Sequence, residues 1–428
     1  MGELLQSLLG MVAIPAIAWG LSEDRRALGL LPLARLVAVG LALQAGIAAL
    51  LLGLPQSRIV FDALGTAVRA VQTATLEGMQ FVFGYLAGAP SPFTATDPKH
   101  GFILAFQALP LILLMSVLSR LLYHWGILQR VVAAFAWALR RSFGIGGALG
   151  TATAANIFVG MVEAPLLIRP YLARMSRSAL FATMTTGMAT IAGTVMALYA
   201  TLLEPVLPGA AGHILAASVM SAPAALMIAR LMVPPDGDEP EEEEGQDPAG
   251  LEQDRGTANF MDAIAQGMID GLRLLAYVTA MLVIMVSLVA LTNAILAGLG
   301  GFAGVRVTVQ QIFGWLFAPV TWLMGIPWSE AGTAGALFGI KTVLNELIAY
   351  VELGQVGAEA LSPRSRLILT YALCGFANFG SLGIMIGGLV ALAPSRRRDI
   401  VSLGPRTIVS GTLATMLTGA VVGAMTPA

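Results

Sequence analysis

The run GIKTVLNELIAYV (residues 339–351) places Lys341 and an Asn-Glu pair, Asn345-Glu346, inside an apolar stretch. NIFVGMVEAPLLI (residues 156–168) does the same with Glu163. Each run is followed further along by an apolar segment interrupted by small and polar residues: MATIAGTVMALY (188–199) after the first, GFANFGSLGIMIGG (375–388) after the second. An ionisable side chain at membrane depth costs about 3 kcal/mol or more, so it is rarely found there without a partner or a task. The same pattern met twice implies two related halves closing around one polar site.

The composition supports the membrane reading. Of 428 residues 57% are hydrophobic and only 11% charged, with a mean hydropathy of +0.80, where a soluble domain carries about 25% charged residues. The apolar runs are too long for outer-membrane strands, which leaves an all-α integral membrane protein. Residues 4–21 have no basic stretch before them, and Arg25 and Arg26 come after; this reads as a first span, not a cleaved signal. Ten of the 25 acidic residues lie between Asp236 and Asp254, with Pro240 and Pro248 among them. That stretch predicts a disordered solvent loop. Cys374 is the single cysteine and the three histidines are scattered, which excludes an intrachain disulfide and makes zinc chemistry improbable.

Segments long enough to cross a bilayer fall near 4–21, 31–53, 102–121, 178–203, 212–233, 272–298, 365–393 and 402–425, about eight spans by the ~20-residue criterion. Residues 57–86, 122–142 and 258–271 mix charges with apolar residues at helical spacing and predict three interfacial helices. Residues 146–175 and 310–352 are apolar but broken by glycine and proline, which predicts two opposed re-entrant hairpins. Arginines at 25, 26 and 35, at 120, 130, 140 and 141, and at 396–398 predict the cytoplasmic loops and place both termini outside. The domain reading is an N-terminal scaffold over 1–142, a first transport half over 143–233, the acidic linker over 234–257 and a second transport half over 258–428. Inverted repeats with broken helices and a site at the midplane are a signature of secondary transporters.

Each polar feature also has a plainer explanation. Glu163 could pair with Arg169, and Glu346 with Lys341, as structural ion pairs. Against that, both carboxylates have further polar neighbours: Asn156, Asn345, Asn378 and Ser381. Carboxylates and carboxamides together suit a neutral solute rich in hydroxyls and amides. Thr190 and Thr194, spaced i,i+4, share one helix face. Their spacing favours hydroxyls bonded back to their own helix; the alternative is oxygen ligands for a cation at a helix break. No phosphate-binding Gly-x-x-x-x-Gly-Lys-Ser/Thr loop occurs, and no nucleophile–base pair or metal cluster supports an enzyme.

Three segments carry a family resemblance. GIKTVLNELIAY (339–350), CGFANFGSLGIMIGGLVALAPSRRRDI (374–400) and AANIFVGMVEAPLLIRPYLARMSRSAL (154–180) resemble, in order, motifs of the concentrative nucleoside transporters. The resemblance implies eight spans, three interfacial helices, two hairpins and a homotrimer in the bacterial-type inner membrane. It also implies a nucleoside substrate, sodium as coupling ion and no enzymatic cofactor; no nucleic-acid partner is expected. By the resemblance, Glu346, Asn378 and Ser381 hold the ribose, and Glu163 contacts the base with Phe376 nearby. Asn156, Val159, Thr190, Ile191 and Thr194 match the sodium site, with threonine where the family usually has serine. The resemblance thus reverses the local reading of the two threonines. The first hairpin departs from the family's Gly-Gln-(Thr/Ser)-Glu: it reads Gly160-Met161-Val162-Glu163. Two polar side chains are exchanged for apolar ones, and an unmatched polar edge costs about 1–3 kcal/mol. The expectation is a shift from pyrimidine toward purine nucleosides, or toward a substrate with a less polar head group. Proton coupling through Glu163 or Glu346, and a membrane protein that binds nucleosides without moving them, stay open as alternatives.

Overall fold

The computed structural model describes residues 2–94, 101–235, 257–303, 307–357 and 359–426, and no strand forms among them. The acidic linker expected over 236–254 lies outside the described residues. The helices are α1 (Gly2–Gly20), α2 (Leu30–Gly53), α3 (Pro55–Phe83), α4 (Leu104–Gln107), α5 (Leu111–His124) and α6 (Ile127–Phe143). They continue with α7 (Gly147–Asn156), α8 (Glu163–Leu167), α9 (Arg169–Leu172), α10 (Arg177–Ala189), α11 (Gly193–Leu203) and α12 (Ala210–Met232). The remainder are α13 (Phe260–Ala303), α14 (Val309–Leu323), α15 (Trp328–Val343), α16 (Glu346–Gln355), α17 (Pro363–Leu373), α18 (Phe379–Leu392) and α19 (Arg397–Met425). Counting α4–α5 and α10–α11 each as one span, seven helices among the described residues are long and apolar enough to cross a membrane. The number is eight if the bent pair α14–α15 counts as one more.

Several sequence expectations change on folding. The amphipathic stretch 258–271 is no separate interfacial helix: it forms the first turns of the 44-residue α13. No proline falls between Phe260 and the apolar run, so every residue keeps the backbone N–H the helix needs and the helix runs through. The stretch 310–352 resolves into α14 and α15, bent by 115°, and a distinct helix, α16. The bend falls at Met324-Gly325-Ile326-Pro327, where Gly325 adopts a left-handed φ of 96° and Pro327 caps α15. The expected span 102–121 is kinked at Ala108-Leu109-Pro110, since proline has no N–H to continue the ladder.

Burial sorts the helices. Of the spanning window of α12, 89% is buried, whereas none of that of α13 is. α12 is therefore the central post and α13 the periphery. α13 packs on α5 through Gly267 and Gly271, a Gly-x-x-x-Gly pair; a Cβ on Gly267 would lie 2.7 Å from Val117 Cα. Such small-residue steps let helices approach closely where no hydrophobic effect drives them together. Arg120 Nε donates to Asp270 Oδ2 across the same contact at 2.9 Å.

α1 is pinned at both ends. At its start Glu3 pairs with Arg364 at 3.1 Å, and Arg364 donates to Gly325 O and Gly423 O, each at 2.6 Å. Beyond its end Glu23 accepts from Arg177 Nη2 at 2.8 Å and from Arg406, while its backbone N–H donates to Met232 O at 2.9 Å. The hydrogen bond from Arg177, reinforced by the charges of Arg177 and Arg406, holds the Glu23 carboxyl below the usual carboxylate range.

Candidate functional site

Both interrupted segments break where the sequence carries its small and polar residues. α10 ends at Ala189 and α11 begins at Gly193, with Thr190 and Ala192 extended between them. α17 ends at Leu373 and α18 begins at Phe379, with Asn378 as its N-cap. Each break frees the carbonyls of a last turn and the N–H groups of a first turn. The two breaks touch: a Cβ on Gly375 would lie 3.0 Å from both Met188 O and Ala189 O, and 2.8 Å from Thr415 Cγ2. Only a glycine allows one broken helix to seat directly on the freed carbonyls of the other.

Around the second break lies the buried carboxylate. Glu346 is the first residue of α16, capped by Asn345, whose Oδ1 accepts from Ile348 N at 2.9 Å. A negative charge at a helix N-terminus is favoured by the helix dipole. Glu346 is 5% exposed. Its Oε1 accepts from Tyr199 Oη at 2.6 Å and its Oε2 from Asn378 Nδ2 at 2.9 Å. Asn378 in turn caps α18, its Oδ1 accepting from Ser381 N at 2.8 Å. Lys341 does not pair directly with this carboxylate. Fully buried, it donates to Thr415 Oγ1 at 3.1 Å and stands 5.2 Å from the Phe338 ring centroid. The simple Glu346–Lys341 ion pair is thereby replaced by an acid held by neutral donors. Phe376 is half-buried and Ser381 buried beside the same break.

The first break carries the other set. Asn156 closes α7 and is 1% exposed, yet neither its Oδ1 nor its Nδ2 has a hydrogen-bond partner. A buried unsatisfied carboxamide costs about 1–3 kcal/mol, so it marks a place where a further group belongs. Thr190 Oγ1 donates to Asn156 O and lies at bonding distance from Thr186 O, both 2.8 Å. Gly193 N donates to Phe158 O at 2.8 Å. Ser218 Oγ of α12 reaches Ile157 O at 3.2 Å and receives Ile191 N at 3.5 Å. The end of α7 is therefore laced to the break by three successive carbonyls, those of residues 156–158. Thr190 and Thr194 do not share a helix face, because the break separates them: Thr190 is the C-cap of α10 and Thr194 the second residue of α11. Thr190 makes the contact to its own helix that its spacing favours and adds one across to Asn156 O. Ile191 is buried, and Val159 and Thr194 are half-buried nearby.

Glu163 behaves differently from Glu346. It opens α8 and is exposed, and no ion pair joins it to Arg169 among the described residues. Its carboxylate folds over Gly160, where a Cβ would collide with Oε2. Met161 is buried with its Cβ against Gly187 of α10, and Val162 packs on Gly388 of α18. The two apolar replacements thus stitch the first hairpin to one helix of each break.

Sequence reasoning missed Tyr199 and Ser218. A signal existed for Tyr199: it ends the quoted run MATIAGTVMALY, and a tyrosine buried in an apolar helix usually spends its hydroxyl on a partner. Ser218 lies in an otherwise apolar span with no local mark.

Comparison with known proteins shows what the chain is similar to. Residues 213–423 and 9–86 match the models for the C-terminus and N-terminus of Na+ dependent nucleoside transporters, and residues 105–206 match a model described as nucleoside recognition. An uncharacterized transporter of Haemophilus influenzae is 40% identical over 98% of this chain and 97% of its own. Nucleoside permease NupC of Helicobacter pylori is 36% identical over 98% of this chain and 97% of its own. The solved structure of CNTnw in an inward-facing substrate-bound state superposes with a TM-score of 0.88 at 37% identity, covering 99% of this chain and 97% of that one.

Proposed function

The chain belongs to the Na+-dependent, concentrative nucleoside transporter family, and from that premise we propose that it is a sodium-coupled nucleoside symporter working by alternating access. The observation that carries this reading is the pairing of two unlike buried sites on touching helix breaks. One is a carboxylate with hydroxyl and amide donors; the other is a carboxamide with both polar atoms free.

In this mechanism Glu346, Asn378 and Ser381 receive the ribose. A carboxylate offers about four lone-pair sites, and Tyr199 and Asn378 occupy two of them. Two remain for vicinal hydroxyls. Glu163 and Phe376 face the base from either side. Sodium, the co-transported ion, enters at Asn156, with Val159, Thr190, Ile191 and Thr194 supplying oxygens. It coordinates the unpartnered Asn156 Oδ1 and fixes the tip of the first hairpin. Each sodium moving inward gains about 2.3 kcal/mol per 100 mV of potential in addition to its gradient. The hairpins and broken helices form the moving part, carried against a scaffold in a homotrimer of the inner membrane. The arginine-rich loops face the cytoplasm and both termini face outside.

The test is uptake of labelled nucleoside into proteoliposomes. A sodium gradient drives accumulation under this reading; accumulation driven by a pH step without sodium would replace it with proton coupling. Binding without any flux would leave a receptor. The specificity prediction belongs to the same assay. Met161 and Val162 offer no hydrogen bond to a base, so inosine competes more strongly than uridine. Strong competition by uridine with none by inosine would reject the purine preference.

A further inference from the structure

Tyr199 sits on the first of the two broken helices, yet its hydroxyl serves the acid of the other half. It is 2% exposed, packs on Tyr350 with ring centroids 5.1 Å apart, and donates to Glu346 Oε1 at 2.6 Å. It lies on α11, whose first residue, Gly193, donates to Phe158 O of the hairpin at 2.8 Å. Between Gly193 and Tyr199 runs uninterrupted helix, rising about 9 Å at 1.5 Å per residue. One rigid rod of less than two turns therefore has its start on the cation side and its phenol on the substrate carboxylate. Tyr350, against which the phenol packs, belongs to α16, the helix that Glu346 opens.

We propose that Tyr199 is a positioning residue that couples the cation site to the ribose site: a cation that fixes the break at Thr190–Ala192 sets the rotation and depth of α11, and α11 sets the Tyr199 hydroxyl on Glu346. A carboxylate so held presents its remaining lone pairs in one orientation. One released from the phenol turns about its side-chain bonds and presents them in several. This route runs through α11 and reaches the ribose side. It is separate from ordering of the hairpin tip, which reaches the base side. The inference rests on the sodium-coupled reading above.

The experiment is nucleoside binding to the purified full-length protein by calorimetry, with inosine and uridine, in sodium and in choline. Wild type, Tyr199→Phe and Tyr199→Leu are compared, with thermal melting as the control for folding. In wild type, sodium tightens nucleoside binding; absence of that effect would sink the sodium-coupled reading and overturn the coupling role of Tyr199 with it. Given it, Tyr199→Phe keeps the ring and its packing but weakens binding in sodium about tenfold, as loss of a charge-assisted hydrogen bond does. The ratio of affinities with and without sodium falls toward one. Linkage requires the same loss when sodium is titrated with and without nucleoside. Tyr199→Leu, which also removes the ring, shows the same collapsed ratio. A Phe variant with weaker binding but the wild-type ratio would make Tyr199 a simple contact and overturn the proposal, as would wild-type affinity with the wild-type ratio. Should the Leu variant not fold, the Phe variant decides alone.

Discussion

At the scale of single residues, two glutamates with the same formal charge meet opposite surroundings. Glu346 is buried at a helix N-terminus between Tyr199 and Asn378; Glu163 is exposed and curls over Gly160. The first position fixes its carboxyl between two donors, and hydrogen bonds to an ionised group contribute about 1.5–3 kcal/mol each. Replacing Glu346 by Gln removes the charge and turns one acceptor into a donor facing another donor. Uptake should fall to background while melting and assembly stay near wild type; uptake at the wild-type rate would refute the ribose assignment. The acid, its asparagine and its serine were legible in the sequence because they lie within short motifs. The pairing of Tyr199 with that acid was not, because the two are 147 residues apart in sequence, and spacing rules do not reach across a fold.

At the scale of elements, the breaks matter more than the helices. A continuous helix would spend its carbonyls on itself, whereas α10 and α17 each end in mid-protein and leave theirs available. The positions of the breaks were readable from Gly193 and from the Gly375–Asn378 run. Their mutual contact was not, since it depends on how the two broken helices cross. Gly375 carries that contact. In Gly375→Ala the new methyl would press on Met188 O, Ala189 O and the Thr415 methyl at 2.8–3.0 Å. Overpacking of this kind costs about 1–3 kcal/mol, and here it would also part the two sites. The expected result is a lowered melting temperature together with loss of sodium-dependent binding. A variant that melts lower but binds with full sodium dependence would show that the crossing is only structural. The continuity of α13 also escaped the sequence reading. Charges at Asp262 and Asp270 look like a surface helix, yet Asp270 finds Arg120 across a glycine seam and the helix goes on.

At the scale of the whole molecule, the ends of α1 tie distant parts of the chain together. Glu23 joins the start of α10 to α19 through Arg177 and Arg406. Its folded carboxyl is held below the usual carboxylate range, chiefly by the Arg177 hydrogen bond. A lowered folded value means that the stabilisation is fully present above the unfolded value and is lost as pH falls through the folded one. Glu23→Gln should therefore melt below wild type at pH 7, by about 1 kcal/mol or less for a partly exposed network. The gap should close as the pH falls through the lowered folded value. A gap independent of pH would show that packing, not charge, is responsible. The peripheral α13 has a different consequence. Its 44 residues extend about 66 Å at 1.5 Å per residue, against a hydrocarbon layer of about 30 Å. Such a rod must lean or carry its ends into the headgroups, and each ångström of mismatch costs a fraction of a kcal/mol. Because α13 is glued to α5 along the glycine seam, its tilt is shared with the rest of the chain. Turnover in vesicles of graded acyl-chain length should pass through a maximum, while affinity in detergent stays fixed. The thickness of the host bilayer would then act as a setting on the rate of transport.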